Sequence, residues 1–377
     1  MTSTRGPLGG PDEGQPEPGT APAGPDEPTG EPGPAGELAA PTGVIEGDVR
    51  ERSFDAAEEP DLDGTAVRGD TGRALVVGEA LVDVVRRADG TQDEHPGGSP
   101  ANVAIGLGRL GREVHLLTWF GRDERGAVVR RHLEASGVSV VPGSDTASRT
   151  SVAVAELDAT GAATYRFDLS WQVPERWSAP AGAPLVVHTG SIAAVLEPGG
   201  PDVARILEAH RESATITYDP NLRPSLMPPP AQTRAVVERL VRLADVVKVS
   251  DEDLTWLEPG HDPADVARRW AGLGPALVVV TRGGEGATAV TAQGLELDVP
   301  APAVTVADTV GAGDSFMGGL IDGLWSAGLL GGERRASLAA VDDATLRRVL
   351  RRCAEIAAIT VSRPGANPPT SAELDRG

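Results

Sequence analysis

From Ala74 onward the chain alternates apolar runs of strand length with stretches of helical length, and this alternation leaves few folds open. Ala74 to Val77 is a short apolar run that stops at Gly78. Val114 to Phe120, Leu185 to His188, Thr215 to Tyr218, Val246 to Val249 and Leu277 to Thr281 repeat the pattern. Helical stretches at 124–136, 201–211, 231–243, 262–272, 313–326 and 344–362 separate or follow them. Strands bracketed by helices of this length are βα units, so the predicted fold is α/β, a mainly parallel sheet with helices on both faces. One stretch departs from the alternation. Ser151 to Leu157 and Ala163 to Leu169 are β-rich runs joined by Asp158-Ala159-Thr160-Gly161, which predicts a hairpin and a small β lid beside the sheet.

The first 70 residues are of another kind. They hold 16 acidic and 4 basic residues, with 11 Pro and 13 Gly, so more than half of the formal net charge of −21 lies there. Such a stretch buries too little apolar surface to offset the entropy of ordering it, and an acidic disordered tail over 1–72 is expected. Its Asp61-Leu62-Asp63-Gly64-Thr65 spells a phosphatase nucleophile loop, but the preceding Ala-Ala-Glu-Glu-Pro is no buried strand. The folded domain is expected over 73–370, with lid segments near 84–96 and 149–172 and a short tail at 371–377.

Composition excludes several chemistries. Lys248 is the only lysine, and it follows no glycine, so there is no Walker-type phosphate loop. The acidic balance argues against a nucleic-acid partner. The single cysteine, Cys353, rules out an intrachain disulfide and a cysteine metal site and fits a reducing cytosol. No run of 18 apolar residues is present, and the first 30 residues hold no apolar run, so a cytoplasmic protein without signal or membrane span is expected. Gly106-Leu107-Gly108-Arg109-Leu110-Gly111 has dinucleotide-loop spelling, but it closes a helix that starts at Pro100 instead of following a strand.

The string Asp308-Thr309-Val310-Gly311-Ala312-Gly313-Asp314-Ser315-Phe316 carries the chemistry. Small residues at 311–313 let backbone N–H groups converge at a helix N-terminus, an anion hole for a phosphoryl group in flight. Asp314 follows directly, placed to take a proton from an attacking hydroxyl.

Over roughly residues 73–370 the sequence resembles the ribokinase-like (phosphofructokinase-B) carbohydrate kinases, and within them the fructokinases. The resemblance implies that Asp314 is the catalytic base and that Gly311, Ala312 and Gly313 form the anion hole. Gly97-Gly98-Ser99-Pro100-Ala101-Asn102 is similar to the family's first signature, with Gly97 and Gly98 as the lid hinge and Asn102 as a sugar contact. Gly78-Glu79-Ala80-Leu81-Val82-Asp83 places Asp83 where the family binds sugar hydroxyls. Asp219-Pro220-Asn221-Leu222-Arg223 looks like fructokinases and 2-keto-3-deoxygluconate kinases, with Asn221 and Arg223 reaching the substrate or the transferring phosphate. Arg166, on the second lid strand, is a further candidate sugar contact.

For the nucleotide, the resemblance points to Thr281, Gly283 and Gly286, to Asn367 in the stretch 362–369, and to Lys248 at the head of Lys248-Val249-Ser250-Asp251-Glu252-Asp253. Many members have Asn-x-x-Glu there to organise Mg²⁺. This chain has Ser250 and Asp253 instead, which leaves Glu252 and Asp253 as alternatives for the metal shell. Asp308 would be the side-chain ligand of a monovalent cation such as K⁺. The expected substrates are a sugar and MgATP, and lid contacts in the family imply a homodimer. The rival readings are a 2-keto-3-deoxygluconate kinase, marked by Arg166 and Arg223 converging on the pocket; a nucleoside kinase, disfavoured by 3% aromatic content; and a non-catalytic sugar-binding regulator.

Overall fold

The computed structural model describes residues 72–158 and 163–376. The expected acidic tail, the phosphatase-like string and most of the lid turn lie outside the described residues. Among the described residues thirteen strands run, in order, β1 (Ala74–Val77), β2 (Leu81–Arg86), β3 (Gln92–Gly97), β4 (Val114–Leu117), β5 (Val138–Val140), β6 (Val152–Leu157), β7 (Ala163–Asp168), β8 (Val186–Gly190), β9 (Thr215–Asp219), β10 (Val246–Ser250), β11 (Leu277–Thr281), β12 (Ala287–Thr291) and β13 (Glu296–Val299).

Nine of them form one sheet in the order β13-β12-β11-β10-β9-β8-β1-β4-β5. Its seven strands from β11 to β5 are parallel, and β12 and β13 extend it antiparallel. Successive residues of the central strands feed opposite cores. Ala74 and Val76 pack with the helices Ser99–Arg109, Ala312–Ser326 and Asp343–Val361. Leu75 and Val77 pack with Gly199–His210, Pro230–Leu243 and Pro263–Ala271. Two apolar faces on each strand explain why these runs read as continuous hydrophobic stretches rather than alternating ones. The expected α/β sandwich is therefore the observed one.

The remaining four strands make a second sheet, β3-β2-β6-β7. The pairing of β6 with β7 is the hairpin anticipated from sequence. Val82, Val84 and Val152 are buried with Val129 of the helix Glu124–Ala135, and Glu94 pairs with Arg125 of the same helix. The opposite face carries Asp83.

One local difference from expectation has a clear cause. Residues Ser371–Leu374 form a short helix instead of a tail, because Thr370 and Glu373 make a capping box and Leu374 is buried. Before the Gly-rich string, residues 301–306 have no regular structure, and Val304, Val306 and Val310 stand exposed. Gly106–Gly111 ends its helix as expected. Gly108 lies so close to the Ser136 carbonyl that a Cβ would sit 2.2 Å from it, a contact between elements and not a cofactor loop. Among the described residues no helix is long and apolar enough to cross a membrane.

Candidate active site

The parallel strands β1, β8, β9, β10 and β11 end on one edge, at Val77, Gly190, Asp219, Ser250 and Thr281. The chain order reverses between β8 and β1, and in open α/β sheets ligands gather at such a switch point. The helix Ala312–Ser326 points its N-terminus toward this edge, capped by Gly311 in the left-handed region at φ 77°. A Cβ on Gly311 would lie 2.6 Å from that of Ala366, so only glycine lets the 362–369 loop close over the helix end.

Asp314, in the first turn of that helix, is 6% exposed. Ser99 Oγ donates to its Oδ1 at 2.6 Å, Asn221 Nδ2 donates to the same oxygen at 3.1 Å, and Asn102 Nδ2 donates to Oδ2 at 2.8 Å. Three donors from two segments, the helix Ser99–Arg109 and the loop after β9, fix the carboxylate. A carboxylate has about four acceptor positions, so one lone pair of Oδ2 stays open. Asn221 reaches it from a backbone at φ 37°, unusual for a residue other than glycine. Asn102, expected as a sugar contact, donates one amide N–H to Asp314 and keeps a second N–H and its oxygen. Ser99 sits in the first signature, yet its role as a donor was not legible there.

Beneath the helix end, Lys248 Nζ donates to Asp219 Oδ2 at 3.0 Å, both side chains being buried. A Cβ on Gly313 would lie 2.7 Å from that ammonium. The lysine therefore backs the first turn of the helix at Gly313. Its charge is felt at His188 as well: burial first, and Lys248 second, hold that imidazole down at about 3. Burial pushes the Asp219 carboxyl up to about 6 against the pull of Lys248, with Asp253 and Asp314 adding to the rise.

Asp83 lies across the site on β2. Burial raises its carboxyl to about 6, Arg223 and then His95 pull it back, and Asp314 adds a smaller push upward. Gly97 and Gly98 are glycines by close approach: a Cβ on Gly97 would sit 2.1 Å from Asp83 Oδ2, and one on Gly98, at φ 105°, 2.6 Å from the Glu79 carbonyl. Glu79 is buried on the loop between β1 and β2, where its Oε2 accepts the Ala193 N–H at 3.1 Å. Burial raises it to about 7.

Other candidates separate from this centre. Arg166 is in register with Val154 on β6, which places it on the lid face away from Asp83, and it pairs with Glu156 at 3.2 Å. The period-two alternation of β7 is the reason it does not reach the sugar side. Arg223 does lie within Coulombic reach of Asp83 and Glu79, although its Nη1 bonds back to Asn221 and the Leu222 carbonyl. Asn367 Oδ1 accepts from Arg109 at 2.5 Å and clasps the C-terminal loop to the helix Ser99–Arg109. Gly286, at φ 101°, is required by the Val299 carbonyl, 2.0 Å from its would-be Cβ, whereas Gly283 borders open space at the end of β11 and beside Thr281.

For a divalent cation the donor set is carboxylate-rich. Asp219 Oδ1 is buried without a hydrogen-bond partner, and Glu252 is exposed and in no ion pair. Asp253 is already engaged: Oδ1 accepts the Leu222 N–H at 2.9 Å, and the side chain closes a capping box with Ser250. A buried carboxylate oxygen without a partner, with Asp253 and Asp314 within electrostatic reach, is a donor type that a hard divalent cation takes, alongside water and phosphate. Among the described residues no group of three or more His, Cys, Asp or Glu forms a metal centre unaided. Asp308 accepts the N–H groups of Val310 at 3.0 Å and Gly365 at 2.9 Å, joining the anion-hole loop to the C-terminal loop.

A family model described as pfkB family carbohydrate kinase matches residues 72–373. A fructokinase from Klebsiella pneumoniae is 36% identical over 267 residues, 68% of this chain and 86% of that protein. A fructokinase from Rhizobium leguminosarum bv. trifolii is 34% identical over 284 residues, covering 72% and 85%. Among solved structures, a fructokinase double mutant from Vibrio cholerae O395 in a fructose-, ADP- and potassium-bound form aligns with a TM-score of 0.68 at 27% identity, covering 81% of this chain and 97% of that one. Aminoimidazole riboside kinase from Salmonella enterica, complexed with aminoimidazole riboside and an ATP analog, aligns at 0.64 with 26% identity, covering 81% and 99%.

Proposed function

The chain belongs to the pfkB family of carbohydrate kinases, and from that premise we propose that it is a fructokinase, transferring the γ-phosphoryl group of ATP to the 6-hydroxyl of fructose. One observation carries the reading. A buried carboxylate, Asp314, is held by Ser99, Asn102 and Asn221 at the N-terminus of a helix whose first turn is backed by a lysine.

In this reading Asp83 takes sugar hydroxyls at the C-terminal edge of the sheet, and Arg223 lies alongside. The lid pivots about Gly97 and Gly98 and excludes water. Asp314 Oδ2 accepts the proton of the attacking hydroxyl as its oxygen bonds to phosphorus and the bond to the leaving ADP oxygen breaks. The backbone N–H groups at 311–313 and the Lys248 ammonium behind them take up charge on the transferring group. Thr281 and Gly283 line the nucleotide side. Glu252 and Asp253 would hold Mg²⁺, directly or through water; when bound it neutralises phosphate charge. Asp308 would serve a monovalent cation beside the anion hole. The same proposal includes a cytoplasmic location and a homodimer joined through the lid, whose edge strand β3 is exposed over most of its length.

The separation of Arg166 from Arg223 supports a neutral sugar over 2-keto-3-deoxygluconate, whose carboxylate calls for converging cations. The test is ADP release with fructose, 2-keto-3-deoxygluconate, ribose and adenosine. Fructose should give the highest kcat/KM and fructose 6-phosphate as product. A higher value with another acceptor overturns the assignment, and sugar binding without turnover revives the regulator.

A further inference from the structure

The lid sheet sorts its residues into rows, and one row faces the reaction centre. Asp83 on β2 is in register with His95 on β3 and with Ala153 on β6, and Ala153 is in register with Phe167 on β7. Residues in register across neighbouring strands share a face, with Cβ atoms about 4.5–5.5 Å apart for an antiparallel pair. The row His95–Asp83–Ala153–Phe167 therefore lies on a single face. The alternate residues Val84 and Glu94 fix the other face, since they meet the helix Glu124–Ala135. His95 is exposed in this open site, beside a half-buried carboxylate and near enough to influence its charge.

We infer that His95 is a sugar-contacting specificity residue, forming with Asp83 a two-strand polar pair that reads adjacent hydroxyls. The inference rests on the sugar-kinase reading of the site. Its logic is the donor and acceptor balance. An ionised carboxylate only accepts hydrogen bonds, so Asp83 holds a hydroxyl by its proton and leaves that hydroxyl's oxygen unsatisfied. An imidazole N–H from the opposite strand supplies the missing donor. Arg223 adds charge from a separate loop, with its Nη1 already bonded to Asn221 and Leu222, so it does not share the fixed spacing of the sheet pair. A pair on one rigid sheet also holds its spacing as the lid moves, so the match to a hydroxyl pattern is made by the lid itself. Ala153, small and next in the row, leaves room for the ring carbons, and Phe167 closes the far end.

The experiment compares His95→Phe, which keeps a planar ring without polar atoms, with His95→Gln, which keeps a donor and an acceptor. A lost hydrogen bond of about 1–1.5 kcal/mol should raise sugar KM about tenfold in His95→Phe. Its kcat should stay within about twofold and its KM for ATP should not move. His95→Gln should keep most of the sugar affinity. The wild-type preference for fructose over its C3, C4 and C5 epimers should narrow in His95→Phe only. An unchanged sugar KM in His95→Phe, or equal rises in the KM values for sugar and ATP, would overturn the inference. If the wild type prefers another sugar, the fructose assignment fails while the same split, read on that sugar, still decides the role of His95.

Discussion

Lys248 Nζ sits 3.0 Å from Asp219 Oδ2, sealed between the sheet and the first turn of the helix that carries Asp314. The lone lysine of the chain is thus a buried counter-charge and not a surface residue reaching for nucleotide. Removing one member of such a pair strands the other, at a cost of about 3–5 kcal/mol. Lys248→Met is expected to lower stability in urea denaturation, and to do so more at pH 8 than at pH 5.5. The sign follows from Asp219, already raised to about 6. Without the ammonium its carboxyl rises further, and a protonated Asp219 no longer needs a cation. The double variant Lys248→Met with Asp219→Asn should recover much of the stability while staying inactive. Equal stability of Lys248→Met and wild type at pH 8 would show that the pair contributes nothing.

Asp314→Asn tests the base. Asparagine fills the same volume, and its side-chain oxygen still accepts from at least one of Ser99 and Asn221. The fold should hold, while kcat falls about 10²–10⁴-fold, the usual worth of a general base. Sugar affinity should change little. Full turnover in a folded Asp314→Asn protein would remove Asp314 from the chemistry.

How far these parts were legible depends on what positioned them. The sheet strands were readable because both of their faces are apolar, as Ala74 and Leu75 serve opposite cores. The Gly-Ala-Gly string at 311–313 was readable because φ 77° and the Ala366 contact at Gly311, and the Lys248 contact at Gly313, favour glycine at those two positions. Strand β3 was not read as a strand, since its exposed polar positions Gln92–His95 carry no apolar signal, and β2 and β12, though largely buried, are interrupted by polar residues such as Asp83 and Thr288. Pairings that depend on register were equally hidden. Arg166 and Phe167 are neighbours in sequence, and only the register with β6 shows that Phe167, not Arg166, shares the face of Asp83. The commitment of Asn367 to Arg109 links positions 258 residues apart, which no local motif encodes.

Asp83 predicts a pH dependence for sugar binding. Its carboxyl is raised to about 6 by burial, and only the ionised form accepts two hydroxyl protons. Sugar affinity should therefore be full above about pH 7 and weaken about tenfold for each pH unit below 6. Calorimetric titration of sugar between pH 5 and 8 measures this directly. Asp83→Asn should bind sugar weakly at every pH and lose the slope. A slope that survives in Asp83→Asn would belong to another group.

Glu79 predicts the pH dependence of stability. Its carboxyl is raised from 4.5 to about 7 by burial. Between those values the native chain keeps a proton that the unfolded chain has released, so stability falls as pH rises through this window. The ionised side chain above pH 7 should cost on the order of 3 kcal/mol relative to pH 4.5. Glu79→Gln keeps an acceptor for the Ala193 N–H and cannot ionise. The difference in unfolding free energy between the variant and wild type should grow in favour of the variant from pH 5 to pH 8. A constant difference would mean that Glu79 does not titrate in this range.

Gly97→Ala tests whether lid and sugar site are one unit. Gly97 closes β3 in register with Leu81, and its would-be Cβ falls 2.1 Å from Asp83 Oδ2. Real Cβ atoms do not tolerate that distance, so either the Asp83 side chain leaves its rotamer or the two strands part. The first outcome displaces only the sugar carboxylate. The second also moves Gly98 off the Glu79 carbonyl and loosens the hinge. Both raise sugar KM, and they differ in kcat. A shifted rotamer leaves the lid able to close, so kcat should hold once sugar saturates. A parted hinge admits water, and ATP should then be hydrolysed without sugar. The β2–β3 pairing spans six residue pairs, so the backbone is the stiffer partner. The expected result is a rise in sugar KM of about tenfold or more, with kcat retained and no increase in sugar-independent ATP hydrolysis.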